Sequence, residues 1–464
     1  MKRVLSSHPR LLAGWLLLIV SAQSQAHAQT NARDDGPVVM RAALSHAAYT
    51  ASFPETLSLK IDLAAGVDQM SQQRPPLNLA LVIDRSGSMA DGGKIDYAMQ
   101  AARLVVENLS ERDIVSVIAF NQEATVLSPA GLAVNRTFLN HRLDEVVPDG
   151  RTNLSAGLLE AFAQIDRMAS EGQIKRAIVL TDGKANQGVT DVDGLRRLVD
   201  SARRRGIGVS TMGCGEEFDE QVLMALADAG GGRYTYIRSP EQIPDAMSAE
   251  LGGLLHVMAQ NVTVEVTART GLDITGVDGW LIAEPSRSFT FNLGDVREGD
   301  RGVLLIKLAP RDFVAGDVAR IDCTISLDRT DTGERQRHVV RIEAVMLDDE
   351  SLVRQSADQS VVFYTDLIDA VSRAEEAVLG LDEDSLRNAV KLFEQHYEAA
   401  RRFAIDTRDQ QLLNQTFMLK HFMTELAVAS ETGLVHRHEN ERRQLSREVE
   451  YQRYLRTHHR IFNN

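Results

Sequence analysis

Leu77-Asn-Leu-Ala-Leu-Val-Ile-Asp84-Arg-Ser86-Gly-Ser88-Met89 is the stretch on which the reading of this chain turns. Leu79-Ala-Leu-Val-Ile83 is an unbroken apolar run of strand length. A strand with no polar alternation is buried on both faces, as in a parallel sheet covered by helices. A carboxylate and two hydroxyls follow at once, from Asp84, Ser86 and Ser88. The carboxyl end of a central strand is where open α/β sheets place their ligand sites.

Outward from this run, apolar and amphipathic segments alternate from Leu77 to His256. Strand-like runs fall at Leu79–Ile83, Ile114–Phe120, Ala177–Leu180, Val209–Met212 and Tyr234–Ile237. Helical patterns fall at Lys94–Leu109, Leu154–Met168, Val192–Arg205, Asp219–Ala229 and Pro240–Leu255. Alternation of this kind predicts a doubly wound, mostly parallel α/β sheet with helices on both faces.

On both sides of that segment the pattern is β. Leu57, Leu59, Ile61 and Leu63 alternate with polar residues, the mark of a half-buried strand. After His256, Val262/Val264/Val266, Phe289/Phe291/Leu293, Val303–Leu308, Ile321–Leu327 and His338–Val345 give about five strands between Gly/Asp-rich turns. The early strands have no place in the α/β sheet, so they are paired with the later ones. The α/β domain, 77–256, is then an insertion in an antiparallel β-sandwich built from 38–76 and 257–347. Helical spacing at Phe363/Leu367/Ala370 and Leu386/Val390/Phe393/Tyr397/Ala400 predicts a helical hairpin or bundle over 352–430. The remainder, 431–464, reads as a polar, basic tail, helical or frayed.

At the amino end, Lys2, Arg3 and Arg10 precede the apolar run Leu11–Val20, and Ala26-His27-Ala28 follows. A basic region, a short apolar core and an A-x-A site are the anatomy of a secretory signal peptide, 1–28, so the chain is expected in the periplasm or secreted. No later segment is apolar for long enough to span a bilayer. The formal charge of −14 disfavours nucleic acid as a partner, since binding it needs a basic face. The 2 cysteines, Cys214 and Cys323, read as separate core residues rather than a disulfide.

A second buried strand ends in Thr181-Asp182-Gly183, and Gly150-Arg-Thr152-Asn153 stands just before a helical pattern. Loops after parallel strands converge at one edge, so Asp84, Ser86, Ser88, Thr152 and Asp182 are expected to meet in one shallow cup. All five offer hard oxygen ligands and none offers sulfur or imidazole. That set suits Mg²⁺ first, with Mn²⁺ or Ca²⁺ next, and disfavours zinc. With the hydroxyls in direct contact and the aspartates acting largely through water, the dication stays partly unneutralised. An Asp or Glu carboxylate from a protein partner would supply the missing anion.

Asp84-x-Ser86-x-Ser88 with Thr152 and Asp182 resembles the metal-ion-dependent adhesion site of von Willebrand factor A domains, over Leu77 to His256. The resemblance implies that Ser86, Ser88 and Thr152 are direct ligands, and Asp84 and Asp182 mainly water-mediated ones. It implies a binding or adhesion module. The alternative from another class is a structural or assembly scaffold in the cell envelope, in which the metal only stabilises the fold. Blander readings exist for single residues. Ser86 and Ser88 are able to cap the helix near Lys94, and Asp182 to open a turn before Gly183. His436, His438, His458 and His459 have no compact ligand spacing and read as solvated. There is no G-x-S-x-G, H-E-x-x-H or P-loop, so no enzymatic activity is expected.

Overall fold

The computed structural model describes residues 36–50, 52–54, 56–66, 74–133, 136–278, 282, 284–311, 314, 316–432 and 439–457. The expected leader and the histidines at 436, 438, 458 and 459 lie outside them. The chain opens with β1 (Val38–Leu44), β2 (Ala48–Tyr49) and β3 (Leu57–Ala65), of which β1 and β3 pair antiparallel.

Six strands then form the α/β sheet: β4 (Leu77–Asp84), β5 (Ile114–Phe120), β6 (Ala124–Leu132), β7 (Ile174–Thr181), β8 (Ile207–Cys214) and β9 (Tyr234–Ile237). Their order is β6-β5-β4-β7-β8-β9, parallel throughout except for β6, which runs antiparallel to β5 at the edge. All eight residues of β4 are buried, which is why it carries no polar alternation. The helices are α1 (Lys94–Asn108), α2 (Arg136–Asp144), α3 (Leu154–Arg167), α4 (Val192–Arg203), α5 (Glu220–Gly230) and α6 (Ile243–Leu255). One face of the sheet shares a core with α1, α2 and α6, and the other with α3, α4 and α5. Strand β6 and helix α2 were not legible beforehand. The edge strand is mostly solvated and holds Pro129, and α2 has only Leu139 and Leu143 in the core.

The chain returns to β structure with β10 (Val257–Thr270), β11 (Leu272–Val277), β12 (Ser288–Arg297), β13 (Arg301–Pro310), β14 (Val318–Arg329) and β15 (Arg335–Met346). One sheet has the order β1-β3-β13-β11 and the other β12-β10-β14-β15-β2. Strand β3, before the α/β domain, pairs with β13, after it, from Leu57↔Leu308 to Ala64↔Arg301. The α/β domain is therefore an insertion in a sandwich, and the sandwich core holds side chains from both flanks.

Four further helices follow: α7 (Glu350–Gln355), α8 (Gln359–Leu379), α9 (Glu383–Thr407) and α10 (Gln410–Thr432). Helices α8, α9 and α10 share a core with the outer face of the first sheet, where Val303 and Leu305 join Tyr364 and Leu367. This changes the reading of β3, which alternation marks as half-buried. Ser58 and Lys60 are buried too, the Lys60 ammonium 3.2 Å from Asp62 and 5.0 Å above the Tyr364 ring. A strand covered by helices tolerates polar residues only where each finds such a partner.

The stretch read as a polar tail forms, over its described part, helix α11 (Glu439–Thr457), packed between domains. Tyr451, Tyr454 and Leu455 lie against the α/β core, while Arg453 and Arg456 reach Glu375 of α8 at 3.0 and 2.9 Å. Polar composition misleads here because the arginines turned toward α8 meet the buried Glu375 carboxylate.

The sandwich grips the α/β domain at the amino end of its parallel strands. Arg176, near the start of β7, pairs with Asp295, and Glu250 of α6 pairs with Arg297 at 2.8 Å, all four buried. The carboxyl edge is left away from that joint. Cys214 and Cys323 are free and buried in separate cores, as expected. Among the described residues no helix is long and apolar enough to cross a membrane.

Candidate functional site

At the carboxyl edge of β4 and β7 the chain brings Asp84, Ser86, Ser88, Thr152 and Asp182 together. Asp84 ends β4 and is fully buried. Its Oδ1 accepts from the Ser86 amide at 2.7 Å and its Oδ2 from the Thr181 hydroxyl at 2.5 Å. Ser86 Oγ lies 3.2 Å from Ser88 Oγ, and Ser88 donates to Asp182 Oδ1 at 2.7 Å.

Thr152 arrives from the third loop. Its amide donates to Asn186 Oδ1 at 3.0 Å and its carbonyl accepts from the Asn186 amide at 3.0 Å, so the backbone is fixed. Its hydroxyl faces Gly183: a methyl group there would sit 3.2 Å from Thr152 Oγ1 and 3.7 Å from Ser88 Oγ. The loops are stitched by Gly87 N–H to Gly150 O at 3.1 Å and Asp149 N–H to Arg85 O at 2.8 Å. Gly150 has φ +82°, a left-handed conformation that side-chain-bearing residues rarely adopt, so this crossing favours glycine. Asn153 then caps α3 by accepting from Ala156 N–H at 3.1 Å.

The blander roles are not the ones these side chains fill. Neither Ser86 nor Ser88 caps α1, whose N-cap is Gly93, and Ser86 makes no side-chain cap bond to the short 3₁₀ turn Gly87–Gly93. The turn at Gly183 is held by its amide to the Thr181 hydroxyl at 3.2 Å, leaving the Asp182 carboxylate out of it. Four of the five residues are buried, and only Ser88 is half-exposed, at the mouth.

Burial pushes the Asp84 carboxyl up to about 6; the Thr181 and Ser86 hydrogen bonds oppose this, and the Asp182 charge adds to it. Two buried carboxylates sharing one cup are short of positive charge. The oxygen spacing suits a small cation, since an octahedral Mg²⁺ with ligands at about 2.1 Å sets neighbouring oxygens roughly 3 Å apart. Among the described residues no three His, Cys, Asp or Glu side chains form a metal cage. The cup depends instead on three hydroxyls, which such a pattern misses.

Sequence reading overlooked Lys94. It is the first residue of α1, and its Nζ donates to Asp182 Oδ2 at 2.6 Å and to the Ser88 carbonyl at 3.4 Å. The available signal was a lysine at a helix N-terminus, where the macrodipole opposes a cation. Thr181, which orients Asp84, was likewise read only as part of the strand end.

Residues 78–249 match the von Willebrand factor type A domain, and the chain carries such a domain. Domains of this type commonly mediate protein–protein interaction. The uncharacterized protein YfbK of Escherichia coli (strain K12) is 29% identical over 231 residues, 50% of this chain and 40% of its own. Human inter-alpha-trypsin inhibitor heavy chain H3 is 27% identical over 277 residues, 52% of this chain and 30% of its own. The chain thus spans less than half the length of either relative. Among solved structures, von Willebrand factor type A from Catenulispora acidiphila superposes with a TM-score of 0.59 at 16% identity, covering 84% of this chain and 91% of that one. That likeness is one of fold.

Proposed function

We propose that this chain is an exported binding protein whose inserted domain holds a divalent cation, Mg²⁺ foremost and Mn²⁺ or Ca²⁺ otherwise, and uses it to capture an Asp or Glu carboxylate on a protein partner. Ser86, Ser88 and Thr152 would ligate the ion directly, with Asp84 and Asp182 acting mainly through water. The observation that carries the reading is the use of the Ser86 and Ser88 hydroxyls. They lie against each other, and Ser88 donates to Asp182, rather than capping a helix, in a cup whose carboxylates are buried. A bound dication supplies the positive charge that this set lacks and an open coordination position for an anion. The role is binding rather than catalysis. Export rests on the leader-like segment, and amino-terminal sequencing of the protein from cells would test it.

The function is tested by capture from an extract of the exported fraction, run in Mg²⁺ and in chelator, with Thr152→Ala alongside. Partners retained only with the cation, and only by the unsubstituted protein, are expected. Retention indifferent to both refutes carboxylate capture and leaves a scaffold that docks partners on the sandwich or the helices.

A further inference from the structure

We infer that Lys94 sets how the cup divides its charge between metal and partner, weakening the grip on the dication and reserving positive charge for the incoming carboxylate. The inference rests on the cup being a metal site.

Lys94 is an improbable residue for its place. It opens α1, where the helix dipole disfavours a cation, and its side chain is 17% exposed against 0% for Asp182. Its stem runs past Gly215, within 3.8 Å of where a side chain would begin. The two oxygens of Asp182 are thereby divided. Oδ1 accepts from Ser88 on the cup side, and Oδ2 accepts from the Lys94 ammonium at 2.6 Å. Lys94 thus cancels the charge of Asp182 from behind without displacing the oxygen that faces Ser88.

The charge count follows. Asp84 and Asp182 bring two negative charges and Lys94 returns one positive, so the cup has one net negative charge. A dication leaves one positive charge over, which a partner carboxylate neutralises. Without Lys94 the two aspartates would offset more of the dication's charge. The metal would bind more tightly and less positive charge would remain to draw an anion. Lys94 is a positioning and specificity-determining residue, distinct from a counter-ion whose loss would change stability alone.

The test is Mn²⁺ affinity, by titration calorimetry and by the paramagnetic resonance signal of free Mn²⁺, in a carboxylate-free buffer on the full chain. Lys94→Met is expected to tighten Mn²⁺ on the order of tenfold, and Asp182→Asn to weaken it by a similar factor. The double variant, which restores the charge count, is expected within about threefold of wild type. Lys94→Arg should stay near wild type. Added acetate should tighten Mn²⁺ in wild type but not in Lys94→Met. A folded Lys94→Met with unchanged or weaker Mn²⁺ affinity overturns the inference while leaving the metal site standing. If Lys94→Met does not fold, an Asp182→Asn protein weakened about tenfold and brought back within threefold of wild type by adding Lys94→Met supports it; an Asp182→Asn protein that is not weakened, or a double variant that departs by tenfold or more, overturns it. Absence of Mn²⁺ binding in wild type and every folded variant sinks the metal reading itself, and this inference with it.

Discussion

Arg297→Met should destabilise this protein by about 3–4 kcal/mol at pH 7, as expected when one member of a buried ion pair is removed. Glu250 of α6 is 4% exposed, and its Oε2 accepts from Arg297 Nη2 at 2.8 Å while Oε1 accepts from the Ser210 hydroxyl at 2.6 Å. Burial is the largest influence on this carboxyl and pushes it up. Arg297, then Arg176 and Arg233, more than reverse that, and hold it at about 2. A carboxylate held that far below 4.5 stabilises the fold by roughly 3 kcal/mol at neutral pH. Because the folded value is depressed, that contribution is full above about 4.5 and is lost as pH falls through about 2. Methionine keeps the stem of Arg297 and removes its charge, so burial is left opposed mainly by two more distant arginines. The Glu250 carboxyl then rises, and the sign changes: an acid whose folded value is raised costs stability as pH rises, so the deficit should shrink between pH 7 and pH 5. Urea unfolding followed by circular dichroism at both pH values, on Arg297→Met, Glu250→Gln and the double variant, reads this directly. The double variant should recover most of the loss, since it leaves no charge stranded. A deficit under about 1 kcal/mol at pH 7, or one that grows toward pH 5, would show that this joint between domains is not the electrostatic clamp its geometry describes.

Other outcomes follow from the same structure. Mg²⁺ held about 100-fold above its dissociation constant should add roughly 2.7 kcal/mol to the inserted domain, a rise on the order of 5–10 °C in its transition; scanning calorimetry of Asp84→Ala should show none of it, and an equal shift there would place the ion elsewhere. Gly157→Ala puts a methyl 2.9 Å from the Phe120 ring and 3.0 Å from Val82, so overpacking of about 1–3 kcal/mol should outweigh the roughly 1 kcal/mol that alanine gains in a helix; a more stable variant by urea titration would contradict this. Tyr454→Phe removes the buried acceptor of the Tyr234 amide at 3.2 Å, and should cost about 1–3 kcal/mol and speed hydrogen exchange at that amide. Unchanged exchange there would mean that α11 does not clasp the α/β domain.

Much of the architecture is local in origin. The apolar run of β4 cannot be solvated on either face, so a strand between two layers of helices is the one arrangement that satisfies it. The helices α1, α3, α4, α5 and α6 lie within a few residues of their expected limits, because capping residues and amphipathic spacing act over single turns. Elements with little burial, β6 and α2, left no such trace. Strand β3 was legible as a strand but not as one buried on both faces, since its second cover comes from helices almost 300 residues later.

By itself the sequence determined the alternation of buried strands and helices around β4, the insertion of the α/β domain and the five oxygen-bearing residues at its carboxyl edge. Each follows from periodicity or from the rule that loops after parallel strands converge. Only the tertiary structure decided which charges meet. Lys94 on Asp182, Arg176 on Asp295, Arg297 on Glu250 and Arg456 on Glu375 are pairs separated by 88, 119, 47 and 81 residues. A charged side chain carries no periodic signature of its partner, because its preference for water is overcome only where folding delivers an opposite charge at hydrogen-bond distance. The cup was therefore visible in the chain, and the lysine behind it was not.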